Sequence, residues 1–96
     1  MTMEKKVTDD QIIIKLDGWL DAKSAPDLNA MLDEIVSDEK QLVLDLKKLV
    51  YISSAGIRQI VYGYKKMNGN FLLMNVQESI MNILSAIGLD KKIPVK

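Results

Sequence analysis

A chain of 96 residues suffices for one domain with one thin core, and a single domain over residues 1–96 is expected. Thirteen basic residues balance thirteen acidic ones, and the lysines stand in scattered pairs, so no dense basic face and no nucleic-acid partner are expected. Neither Cys nor His occurs, which excludes disulfides and thiolate chemistry and removes both the usual zinc ligands and the commonest general base.

The first predicted element is a weak strand from Lys5 to Thr8, turned at Asp9-Asp10 into a strong strand from Gln11 to Asp17. That second run is rich in β-branched residues, and Gly18 is expected to end it. Trp19 to Lys23 reads as a loop. Ser24 then reads as a helix N-cap, with Pro26 and Asp27 in the first turn. Leu28, Met31, Leu32, Ile35 and Val36 recur at the spacing of one buried helical stripe. After a polar connection, Ser37 to Lys40, the short apolar run Leu42 to Leu46 fits a central parallel strand.

Beyond Lys47-Lys48 the chain passes through Leu49 to Ile52 into the small-residue cluster Ser53-Ser54-Ala55-Gly56. A second helix is predicted there, with Ile57, Ile60, Val61 and Tyr64 inward and Asn68-Gly69 at its end. Phe71 to Val76 reads as another buried strand. A third helix follows, with Ile80, Ile83, Leu84 and Ile87 on its inner face and Gly88 beyond it. Ile93-Pro94-Val95 is at most a short closing strand, and its proline suits an edge. Strands alternating with helices imply right-handed crossovers, hence an α/β fold with a mixed, mostly parallel sheet of four to five strands and about three main helices.

Ser53 to Gly56 is the informative segment. A helix start presents free N–H groups and the positive end of the helix dipole, so a hydroxyl there can cap the helix and a phosphate on it suits the fold. The small Ala55 and Gly56 would let another protein approach closely. The plainest reading of either serine is a cap alone. Neither GxxxxGK[ST] nor GxGxxG occurs, so a nucleotide loop is not indicated. Asp21 and Asp45 are expected near the carboxyl edge of the sheet, where sites gather; on the residues alone they read as caps of local N–H groups or as solvated side chains. Arg58 opposes the dipole in its helix's first turn and reads as a contact, as a partner of Asp21 or Asp45, or as a solvated side chain. Trp19, the only tryptophan, either anchors an interface or covers the sheet edge.

Val43-Leu44-Asp45-Leu46 followed by Tyr51-Ile52-Ser53-Ser54-Ala55-Gly56-Ile57-Arg58 resembles the STAS domain signature of bacterial anti-sigma factor antagonists. Gly18-Trp19-Leu20-Asp21 resembles that family's Gly-x-Leu-Asp element. The likeness runs over about residues 7 to 93 and implies a STAS-like fold. In such proteins the serine two places before the glycine is phosphorylated, which puts that role on Ser54, with Ser53 as second choice. Ser53 stands where many members carry an aspartate.

The resemblance further implies a partner switch. The unmodified protein binds an anti-sigma factor that is also a serine kinase; phosphorylation releases it, and a phosphatase restores it. Asp21, Asp45, Ser53, Ser54, Ala55, Gly56 and Arg58 are the implied contacts. Alternatives are an accessory subunit of an ABC-type lipid transporter and a switch acting on a non-transcriptional target. No base–nucleophile constellation is visible, so no enzyme is expected. No cofactor, no metal and a monomer are expected. The N-terminus lacks a signal-peptide stretch and no run approaches the ~18 apolar residues of a membrane helix, so a cytoplasmic location without membrane insertion is expected.

Overall fold

The computed structural model describes residues 1–36 and 40–96. In chain order the elements are β1 (Thr2–Val7), β2 (Gln11–Leu20), α1 (Ala25–Asp33), β3 (Gln41–Ile52), α2 (Ser54–Lys66), β4 (Phe71–Met74), α3 (Glu78–Ala86) and a 3₁₀ turn at Leu89–Lys91. The sheet order is β1-β2-β3-β4. β1 runs antiparallel to β2, while β2, β3 and β4 are parallel. The result is the expected α/β domain with a mixed, mostly parallel sheet. Ile93 to Val95 contributes a single parallel bridge, Val95 to Leu73.

Because successive parallel strands lie side by side, right-handed crossovers place the three helices on one face of the sheet. The core forms between them. Ile14, Leu16 and Leu20 of β2, Leu42, Leu44, Leu46, Leu49 and Ile52 of β3, and Phe71 and Leu73 of β4 meet Leu28, Leu32, Ile60, Ile80 and Leu84 from the helices. Val43 and Asp45 alternate onto the other face.

Several boundaries differ from the sequence reading. β1 begins at Thr2, and Thr8 closes the turn instead, its hydroxyl accepting the Gln11 N–H at 3.0 Å. Gly18 does not end β2. It adopts φ +109°, and the β2–β3 register shifts just after it, so Trp19 and Leu20 continue the strand rather than forming a loop. β3 likewise runs unbroken through Lys47-Lys48 to Ile52. Two bulges against β2 break its alternation, which lets Leu49 and Ile52 both turn inward.

The helical stripes are narrower than expected. α1 stops at Asp33; Ile35 still reaches the core, but Val36 is exposed. On α3, Ile80 and Leu84 are buried whereas Ile83 and Ile87 face out. Of the expected connection from Ser37 to Lys40, residues 37–39 lie outside the described residues. Lys40 donates from Nζ to the Thr8 carbonyl at 2.8 Å.

Candidate partner-binding and phosphorylation site

The ends of β2 and β3 deliver Leu20 and Ile52 side by side. There the Ser53 N–H donates to the Leu20 carbonyl at 2.9 Å. Ser53 is extended, with φ −101° and ψ 177°, and occupies the N-cap position of α2; its carbonyl accepts the Ile57 N–H at 2.9 Å. Its side chain does not cap the helix. Instead the Ser53 Oγ is buried without a hydrogen-bond partner. Ser54 is the first residue of α2 and is exposed. The two hydroxyls are therefore unequal: one is sealed behind the helix start, the other stands in solvent beside the helix's free N–H groups.

Gly56 has a different role from the one the sequence suggested. It is buried, and a Cβ there would lie 2.7 Å from the Leu20 Cγ, 2.8 Å from the Ile52 Cγ1 and 2.8 Å from the Leu20 carbonyl oxygen. It lets α2 sit against the strand ends rather than lowering the outer surface. Ala55 is half-buried and rests against the core. Arg58 is exposed one turn beyond Ser54, on the same side of α2.

Asp21, one residue past Leu20, accepts backbone N–H bonds from Lys23 and Ser24, each at 3.1 Å. The Ser24 backbone bond is the main reason its carboxyl is held below the usual aspartate value, with the Ser24 hydroxyl and the Lys23 N–H adding to it against some desolvation. Ser24 is consequently not the side-chain cap the sequence suggested. Its hydroxyl turns inward, 2.8 Å from the Trp19 carbonyl, and accepts the Asp21 N–H at 2.9 Å. The Asp21 carboxylate holds the N–H groups of the turn before α1, and its carbonyl accepts the Ala25 N–H, the first of the helix, at 2.8 Å.

Asp45 is not brought to this site. It lies mid-strand, seven residues before Ile52, a run of roughly 23 Å in an extended strand. It is 9 % exposed and accepts from the Asn75 side chain and the Lys47 N–H, each at 3.1 Å. Gln77 donates to the Lys47 carbonyl at 2.7 Å. Asp45 thus ties β3 to the β4–α3 turn. Both candidate acidic partners of Arg58 are occupied by these local bonds.

Trp19 and Tyr51 form a pair that the sequence reading did not join. Their rings are 5.1 Å apart, tilted by 39°, and both are exposed, at 57 % and 42 %. They meet because the bulge in β3 sets Trp19 opposite Tyr51, a register that residue pattern alone does not reveal. A cleft of about 370 Å³ beside Trp19 is lined by Met1, Asp21, Lys23, Ser24 and Asp27. Among the described residues, no group of three or more His, Cys, Asp or Glu side chains could hold a metal ion. Nor is any of their helices long and apolar enough to cross a membrane.

Comparison with known proteins places this geometry in context. The family model described as the STAS domain matches residues 2–96. BtrV of Bordetella bronchiseptica, described as an anti-sigma factor antagonist, is 30 % identical over 99 residues, covering 99 % of this chain and 84 % of BtrV. The anti-sigma F factor antagonist of Paenibacillus polymyxa is 28 % identical, over 88 % of this chain and 76 % of that protein. Among solved structures, an anti-sigma factor antagonist from Mycobacterium paratuberculosis superposes with a TM-score of 0.87 at 24 % identity, covering 98 % of this chain and 83 % of that one. At that identity the superposition shows the shared fold.

Proposed function

The chain belongs to the STAS domain family, and from that premise we propose that it is an anti-sigma factor antagonist switched by phosphorylation of Ser54. It is a binding protein and not an enzyme. It acts in the cytoplasm, where it docks on an anti-sigma factor that is also an ATP-dependent serine kinase and so frees the sigma factor. The kinase esterifies the Ser54 hydroxyl with the γ-phosphoryl group of ATP, and a phosphatase hydrolyses the ester.

One observation carries this reading: Ser54 is exposed on the first turn of α2, while the adjacent Ser53 hydroxyl is buried. A kinase can reach the first without opening the fold. The phosphate arrives where the helix dipole favours an anion, with Arg58 one turn away, so the folded state tolerates it. A partner pressed against α2 does not. A phosphoserine carries about −1.5 to −2 charges near neutral pH, and burying it unpaired costs several kcal/mol, each ~1.4 kcal/mol being tenfold in affinity. The partner surface is Ser53, Ser54, Ala55 and Arg58, joined to Asp21 through the Leu20–Ser53 bond. Gly56 supports it from beneath, and Asp45 stands apart from it.

The test is incubation with a purified candidate kinase and ATP, followed by mass mapping of the modified peptide. Phosphate on Ser54, absent from Ser54→Ala, is the expected result. Phosphate on Ser53, or none with any serine-kinase anti-sigma factor of the source organism, contradicts the assignment.

A further inference from the structure

We propose that β1 is a self-association edge: two copies of the chain pair their β1 strands antiparallel about a two-fold axis at Lys5, joining two four-stranded sheets into one. The inference is independent of the reading of Ser54. It replaces the monomer expected from the sequence with a dimer in equilibrium with its monomer.

β1 is the outermost strand, and among the described residues it pairs with β2 alone. The opposite edge of the sheet is covered: on β4 the Leu73 N–H donates to the Pro94 carbonyl, and the Leu73 carbonyl accepts the Lys96 N–H. The hairpin fixes which groups β1 leaves free. The Thr8 N–H donates to the Gln11 carbonyl at 2.8 Å and closes the turn. Antiparallel residue pairs alternate between bonded and non-bonded. In the register that runs from Val7 opposite Ile12 to Thr2 opposite Asp17, Lys6, Glu4 and Thr2 are therefore the residues that exchange bonds with β2. The N–H and C=O groups of Met3, Lys5 and Val7 point away from the sheet. Such a row is a template for another strand.

The residues along that row select the strand. A two-fold axis at Lys5 sets Met3 against Val7 of the second copy and Glu4 against Lys6, with the reverse pairs following by symmetry. The free backbone groups of Met3, Lys5 and Val7 then all find partners. Met3 and Val7 lie on the helix-bearing face, opposite Leu16 and Ile12. Met3 packs against the core and Val7 is 54 % exposed, so the Met3 of each copy shields the Val7 of the other. Glu4 and Lys6 are exposed on the open face and pair acid with base on both sides of the axis. An axis at Glu4 would match the backbone groups equally well, but it sets Glu4 against Glu4 and leaves Lys6 opposite Thr2. The axis at Lys5 opposes only Lys5 with itself, and those long side chains diverge into solvent. Lysines on an edge ordinarily discourage strand pairing; Lys6 admits a strand that brings an acid opposite it, as Glu4 of the second copy does. Because α2 begins at the carboxyl end of the parallel strands, the axis places the two Ser54 surfaces at opposite ends of the joined sheet and covers neither.

The chain has no cysteine, so one introduced thiol reports the register. In a glutathione redox buffer Lys5→Cys is expected to form a disulfide-linked dimer, because position 5 faces itself across the axis at the Cα separation of a bonded pair, about 5.5 Å. Glu4→Cys faces Lys6 and is expected to stay unlinked. Sedimentation velocity of the wild-type chain, from micromolar to millimolar concentration, should show the sedimentation coefficient rising as dimer forms. Glu4→Lys and Lys6→Glu should each weaken the dimer by roughly tenfold, and the double variant Glu4→Lys/Lys6→Glu should recover wild-type association. Melting of these variants should match wild type, because the replaced side chains are exposed; if one folds poorly, the two cysteine variants decide. A wild-type chain that stays monomeric overturns the proposal. So do single charge variants that associate as wild type does, a double variant that fails to recover, or linkage of Glu4→Cys in preference to Lys5→Cys.

Discussion

Ser53 and Ser54 are adjacent and chemically identical, yet they differ in what the fold asks of them. Ser53 buries an oxygen that finds no partner. Removing an unsatisfied buried hydroxyl costs little, so Ser53→Ala should leave stability unchanged or raise it by up to about 1 kcal/mol. A capping serine would instead lose about 1 kcal/mol, and a denaturant titration distinguishes the two. Gly56 is the strictest position nearby. A methyl there meets both side chains and backbone below 3 Å, and Gly56→Ala should cost about 1–3 kcal/mol by forcing α2 away from the strand ends. Asp21 gives a pH signature. Its carboxyl is depressed below 3.8 in the folded chain, so its contribution to stability is present above that value and is lost as pH falls toward the folded-state value. Asp21→Ala should therefore lower the melting temperature at neutral pH and flatten its decline on acidification. An equal decline in both proteins would show that the Asp21 bonds do not hold in solution.

At the scale of elements, strand and helix order was legible because each run had a clear period, but the strand ends were not. Gly18 looked like a terminator but continues the strand at φ +109°, facing the bulge in β3, since a glycine in an apolar run marks either an end or an irregularity. Lys47-Lys48 looked like a break because two consecutive polar residues violate alternation; the bulges absorb them. These same irregularities hid half of the site. The residue pattern located the small-residue helix start, but it set Asp45 near the site when extension of β3 to Ile52 leaves it behind. It also missed the pairing of Trp19 with Tyr51, which exists only in the shifted register. Asp45 is assigned here to the β4–α3 turn through Asn75 and Lys47. Asp45→Ala should accordingly destabilise the domain by about 1–3 kcal/mol, by stranding those donors. The surviving folded fraction should be phosphorylated at the wild-type rate, and a slowed rate at full folding would return Asp45 to the interface.

Over the whole molecule, three helices on one face of the sheet leave the strand ends and the start of α2 to form one surface. Under the function proposed, the domain needs no moving part to switch: the charge placed on that surface would act while the fold beneath it stays as it was. Calorimetric titration of the partner kinase with wild-type chain and with Ser54→Asp, alongside thermal melts of both, tests this most directly. The account predicts that the variant loses at least about a hundredfold in affinity while its melting temperature matches wild type. Binding that survives the substitution, or a variant that unfolds well below the wild-type chain, would contradict it.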